Sequence, residues 1–284
     1  MASVSIVGLG RMGVAMAESF AAAGHTVTGW NRSPKTADEF RFPLAASVAE
    51  AVAASELTVV VVLDTAGVVD LLGADDVDLE GRTIVNLTTS DAKDAHVVSE
   101  LVLGRGGKYL DGIIASYPEG IGRPETALIY GGDAGVWENH EKTLSVLGGR
   151  SWHAGEDVGT PAVLDLAVTM GFYHSALGAF YDAALYARSQ GIGIHEVARA
   201  TRDLLLVLAE STETAVHKVE SGDFSTDQAP IDMHISASEI ARDALQAVGR
   251  GSYLDLVLRD LGQVQSKGRG HEAFAAVYDE LSTE

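Results

Sequence analysis

The first half of the chain alternates two hydrophobic patterns. Short β-branched runs at 4–7, 26–30, 57–63, 83–87, 109–114 and 127–130 are mostly apolar without a break, not at every second position. A strand with one wet face alternates, so unbroken runs predict strands covered on both faces. Between them, stretches such as 14–23, 47–54 and 92–103 place apolar residues at helical spacing. Strand, helix and strand in repetition predict an α/β domain over residues 1–158, built on a doubly wound, mainly parallel sheet.

After Gly159 the strand pattern stops. Residues 160–189 predict one long helix, apolar on nearly all sides, with further helices at about 194–220, 231–248, 253–265 and 271–282. Residues 159–284 therefore read as an all-helical domain that begins with an interdomain helix. The most apolar stretch, 162–180, is interrupted by Asp165, Thr169, Tyr173, His174 and Ser175, and so reads as a buried helix and not as a membrane span. A helix apolar all round needs enclosing neighbours, and the helical half offers few. A homodimer, the second copy covering the remainder, is expected.

Composition narrows the chemistry. The 284 residues include no cysteine, which excludes disulfide frameworks, iron–sulfur clusters and thiol nucleophiles. Forty Asp and Glu against 20 Lys and Arg give a net charge of −20 with no basic run, which argues against a nucleic-acid partner. The opening MASVSIVGLG lacks a basic n-region and leads straight into a strand, so a cytoplasmic location is expected. The histidines have no HExxH spacing and the serines no GxSxG.

Gly8-Leu9-Gly10-Arg11-Met12-Gly13 closes a predicted strand and opens a predicted helix. In that context a GxGxxG lets backbone approach a pyrophosphate at a helix N-terminus. NAD-binding versions end the second strand on an acid that meets the ribose 2′-hydroxyl. Here the strand runs into Asn31-Arg32-Ser33-Pro34-Lys35. A guanidinium, a hydroxyl and an ammonium in that place suit a 2′-phosphate, so the expected cofactor is NADP(H). Leu63, at the end of the third predicted strand, joins the expected cofactor contacts. Asp165 lies one or two turns into an otherwise apolar helix, where an unpaired carboxylate is unfavourable. A helix N-terminus could stabilise it, or it could serve a pocket with Tyr173 eight residues on; the residues alone leave both open.

GLGRMG at 8–13, WNRSPKT at 30–36, IVNLTTS at 84–90, DGIIASYPEGIGRP at 111–124 and GEDVGTPAVLDLAVTMGFYHSAL at 155–177 resemble the NADPH-dependent imine reductases and reductive aminases, a branch of the β-hydroxyacid dehydrogenase superfamily. The superfamily's dehydrogenases carry a catalytic Lys six residues after the glycine that corresponds to Gly159, where this chain has Asp165. Their DAPVSGG loop is replaced by the residues from Asp111 to Tyr117. A carboxylate opposite a hydride donor suits a cationic iminium. The resemblance implies reduction of an imine, or of a ketone with an amine. It implies catalytic roles for Asp165, Tyr173 and Asn86, with Asn86 beside the nicotinamide, and it places Ser116, Tyr117 and His234 near the substrate. It also implies a dimer with active sites shared between chains. The alternatives are a hydroxyacid-dehydrogenase-like oxidoreductase and a non-catalytic NADP(H)-binding protein.

Overall fold

The computed structural model describes residues 1–36 and 40–282 and divides into two compact units, Met1–Gly171 and residues 172 onward. In the first unit the strands are β1 (Ser3–Val7), β2 (Thr26–Trp30), β3 (Leu57–Val60), β4 (Thr83–Asn86), β5 (Lys108–Ile114), β6 (Leu128–Gly132) and β7 (Trp152–His153). They form one sheet in the order β2-β1-β3-β4-β5-β6-β7, parallel throughout except for the β5–β6 pair. Its helices are α1 (Arg11–Ala22), α2 (Val48–Ala53), α3 (Thr65–Leu72), α4 (Ala92–Gly104), α5 (Ala134–Leu144) and α6 (Thr160–Leu164).

The unbroken apolar runs have the expected physical cause. Successive strand residues point to opposite faces, and each face has its own core. Ile6, Val59, Val85 and Leu110 pack with Met16 and Phe20 of α1 and Trp137 and Leu144 of α5. Their neighbours Val7, Val60, Ile84 and Tyr109 pack with Val52 of α2, Val68 of α3 and Val98 of α4. The strand order reverses between β1 and β3, which opens a crevice at the carboxyl ends of the strands, where ligands of doubly wound sheets bind.

The second unit consists of α7 (His174–Ser189), α8 (Ile194–Ser221), α9 (Ile231–Gln246), α10 (Ser252–Ser266) and α11 (Ala276–Leu281). Its buried core is small: Phe224, Ile231, Leu261, Val264 and Ala276. Arg269 braces it, pairing with Glu272 and Asp279 at 2.8 Å while lying over the Phe224 ring at 5.4 Å. None of the residues of α8 is buried.

Two expectations about residues 160–189 need correction. The stretch is not one α-helix: Asp165–Tyr173 forms a π-helix between α6 and α7. Its hydrogen bonds run i→i+5, and a helix apolar on nearly every side carries no periodicity from which that wider turn could be read. The helix is also not buried within the chain. Its most apolar 18-residue window has a mean hydropathy of 1.2, long and apolar enough to cross a membrane by length and composition, and only 6% of that window is buried. Helices α3 and α5 and strand β7 carried no expectation, and the last helix begins at Ala276, five residues later than 271.

Candidate functional site

The crevice begins at the turn after β1. Gly8 has φ +106°, and a Cβ there would lie 2.1 Å from the Val61 carbonyl oxygen. A Cβ on Gly13 would lie 1.8 Å from the Gly8 oxygen, so α1 packs as closely on the turn as backbone allows. Around Gly10 there is open space. Helices α2, α3, α4 and α5 each begin with a side-chain cap, from Ser47, Asp64, Asp91 and Asp133. Helix α1 begins on Gly10 with no side-chain cap and no acid in its first turn. An uncapped helix N-terminus facing open space beside a glycine is the arrangement that receives a pyrophosphate.

The expected cofactor residues divide into supports and free groups. Asn31 Oδ1 accepts the Leu9 amide N–H at 2.8 Å, and its Nδ2 donates to the Ser33 carbonyl at 2.8 Å, so Asn31 ties the first turn to the loop after β2. Leu9 buries its side chain in the core and Met12 packs against that core. Arg11, Arg32, Ser33 and Lys35 are solvent-exposed. Leu63 is 85% exposed, unusual for a leucine just past the end of a central strand.

Asn86 ends β4 with its side chain 1% exposed. Its Oδ1 accepts the Thr88 amide at 3.2 Å, and its Nδ2 donates to Asp111 Oδ1 at 3.1 Å. Thr88 Oγ1 in turn accepts the Val62 amide at 3.1 Å. Tyr109 donates its hydroxyl to the same Asp111 oxygen at 2.6 Å. This network runs from the carboxyl ends of β3 and β4 to the first half of β5. Burial pushes the Asp111 carboxyl up to about 7, partly offset by the hydrogen bonds from Tyr109 and Asn86. Burial and the neighbouring carboxyl hold the Tyr109 hydroxyl well above its ordinary value.

Asp111 and Tyr109 were not singled out as site residues. A signal was present, since a carboxylate inside the otherwise apolar run YLDGII raises the same question as one inside an apolar helix. The link between Asn86 and Asp111 stays hidden because the two are 25 residues apart in sequence.

Asp165 is 6% exposed; its backbone N–H donates to the Ala162 and Pro161 carbonyls, and its side chain has no hydrogen-bond or ion-pair partner among the described residues. It opens the π-helix and belongs to the first unit. Tyr173 and His234 belong to the second, where the Tyr173 ring lies 5.7 Å from that of His174 and the His234 ring stands edge-on to Phe274 at 5.2 Å. In the loop after β5, Ser116 Oγ donates to the Tyr117 carbonyl at 3.2 Å, and Tyr117 is exposed. A cleft of about 650 Å³ lined by His96, Lys108, Tyr109, Asn139 and Asp157 includes none of the residues expected at the site.

Residues 3–155 match the family described as the NAD binding domain of 6-phosphogluconate dehydrogenase, which makes the chain a member of that dinucleotide-binding oxidoreductase class. Residues 157–283 match the NADPH-dependent reductive aminase-like C-terminal domain, and the chain belongs to this family of NADP-dependent oxidoreductases. It is 28% identical over 279 residues to the NADPH-dependent reductive aminase of Aspergillus oryzae, covering 94% of this chain and 92% of that one. An imine reductase from a Pseudomonas species superposes with a TM-score of 0.91 at 31% identity, with 99% of each chain covered. A reductive aminase from Aspergillus terreus, solved with NADPH and ethyl levulinate, gives a TM-score of 0.87 at 29% identity, again over 99% of each chain.

The buried carboxyl predicts a pH dependence. An Asp whose folded value lies above its unfolded one keeps its proton in the folded state after the unfolded chain has lost it. Stability from Asp111 is therefore fully present below about pH 4 and is lost as pH rises toward about 7. The loss is on the order of 4 kcal/mol at most. Urea titrations from pH 4 to 8 should show parent stability falling relative to Asp111→Asn across that window; a constant difference contradicts the assignment.

Proposed function

We propose that this protein is an NADPH-dependent imine reductase that delivers hydride to the carbon of a C=N bond, and that it also accepts a ketone together with an amine. The observation that carries this reading is Asp165. Its side chain is 6% exposed and unpaired among the described residues, in a segment whose other residues are mostly apolar, and a cation in the working complex would give it a partner. An iminium nitrogen is such a cation. Membership of the reductive aminase-like family supports the same reading.

The residues present fit the cofactor. The open space at Gly10 and the uncapped start of α1 would receive the pyrophosphate, and Arg32, Ser33 and Lys35 would hold the 2′-phosphate. When bound, NADPH supplies the hydride. Asn86 would border the nicotinamide from the end of β4, and Leu63 would cover it from the loop after β3. Asp165 would hold positive charge on the imine nitrogen, in surroundings where the attraction is several-fold stronger than in water. A Lys in place of Asp165, as the resembling dehydrogenases have, would repel that cation, which is why hydroxyacid oxidation is the weaker reading. Tyr173 is assigned an assisting role, and Ser116, Tyr117 and His234 are assigned to the substrate, by resemblance.

The working form in this reading is a homodimer with shared active sites. The helical stretch 160–189 is apolar and largely uncovered, and Leu204, Leu205, Leu206 and Val207 of α8 are all more than half exposed. A run of this kind in a charged surround calls for a protein partner, and a second copy supplies matching surface.

Three measurements test this reading. Asp165→Ala should lower kcat for NADPH oxidation with a preformed cyclic imine by about 10² to 10⁴ while NADPH affinity barely changes. Asp165→Asn, which keeps the shape, should lose nearly as much. Near-parental turnover of the Ala variant with a lowered Tm would make Asp165 structural and overturn the assignment. Arg32→Glu should weaken NADPH far more than NADH, and equal kinetics of the parent with both cofactors would remove the 2′-phosphate site. Light scattering at micromolar concentration should give twice the chain mass; an active monomer excludes the dimer.

A further inference from the structure

A side-chain amide can turn end for end with almost no change in shape, exchanging donor for acceptor. At Asn86 two contacts oppose the turn. Reversal would set the amide nitrogen against the Thr88 N–H and the amide oxygen against Asp111 Oδ1. The Asp111 contact is itself held, because Tyr109, two residues back on the same face of β5, donates to the same carboxyl oxygen. The three side chains are all buried, so water cannot substitute for a lost partner without entering the core.

We propose that Asp111 is a positioning residue for this site: its Oδ1, steadied by the Tyr109 hydroxyl, fixes the Asn86 amide in one orientation. One amide N–H and one oxygen lone pair of Asn86 are then left in a set disposition at the carboxyl end of β4. The proposal rests on the assignment of Asn86 to the nicotinamide end of the crevice. An acceptor is what Asp111 supplies, not a charge, since burial keeps the carboxyl largely protonated up to about neutral pH. Asparagine offers the same carbonyl acceptor at the same reach, whereas leucine has similar bulk and no acceptor.

The test compares Asp111→Asn, Asp111→Leu, Tyr109→Phe and Asn86→Ala in the full chain. With asparagine labelled selectively with ¹⁵N, the Asn86 side-chain amide signal is assigned by its loss in Asn86→Ala. In the parent and in Asp111→Asn it should exchange slowly with water. In Asp111→Leu exchange should quicken by about tenfold or more as the amide is released. With NADPH and a cyclic imine, Asp111→Leu should lower kcat by about 10- to 100-fold with KM for NADPH little changed, the scale of a misplaced positioning group. Asp111→Asn should recover most of that loss. Combined with Asn86→Ala, Asp111→Leu should add little further, because both act through one group.

Slow exchange and parental kcat in Asp111→Leu, or losses that multiply in the double variant, overturn the proposal. Should Asp111→Leu fail to fold, Tyr109→Phe decides: faster amide exchange and lower kcat support it, and parental behaviour on both counts overturns it. A parent without imine turnover refutes the proposed reaction, not the positioning, which the amide-exchange measurement then decides.

Discussion

The close approach of Gly13 to the Gly8 carbonyl is the constraint on which the first unit's site depends. With no Cβ at either position, α1 begins directly above the end of β1, and its uncapped N-terminus is directed at the crevice. A methyl group at Gly13 would have to displace backbone, and neither the turn nor the helix has slack, because Gly8 is itself pressed against the Val61 carbonyl. Asn31 extends the constraint to the loop after β2 by holding the Leu9 amide. The groups suited to a 2′-phosphate thus follow from the same turn as the groups suited to the pyrophosphate.

The two buried aspartates of the first unit are held in different ways. Asp111 has two donors on one oxygen, and its proton is retained to higher pH because burial disfavours the charge. It is a settled group whose contribution lies in geometry. The Asp165 side chain has no partner among the described residues, and in the proposed reaction the cationic imine nitrogen would supply one. The π-helix begins at Asp165, and i→i+5 turns are frequent at functional sites.

The second unit has too small a core to account for its apolar surface. Five residues make up its buried cluster, while α8 has no fully buried residue and exposes a leucine-rich run. Arg269, which ties together Glu272, Asp279 and the Phe224 ring, supports the end of the unit without covering that surface. In the proposed homodimer the second chain would bury these faces.

The strands, the glycine turn and the loop after β2 were legible in the sequence because each rests on local chemistry. Unbroken apolar runs report coverage of both sheet faces, and GxGxxG reports a backbone approach that only glycine permits. Asp165 was legible as an anomaly of polarity on an apolar helix. Tertiary structure alone decided the rest. The π-helix left no trace in a segment apolar all round. The burial of that segment could not be inferred from its apolarity, which is the same whether the neighbour belongs to its own chain or to another. The Asn86–Asp111–Tyr109 network depends on β4 lying beside β5 in a register that sets Asn86 opposite Asp111. No local pattern encodes that juxtaposition, because it is fixed by the pairing of strands whose residues are distant along the chain.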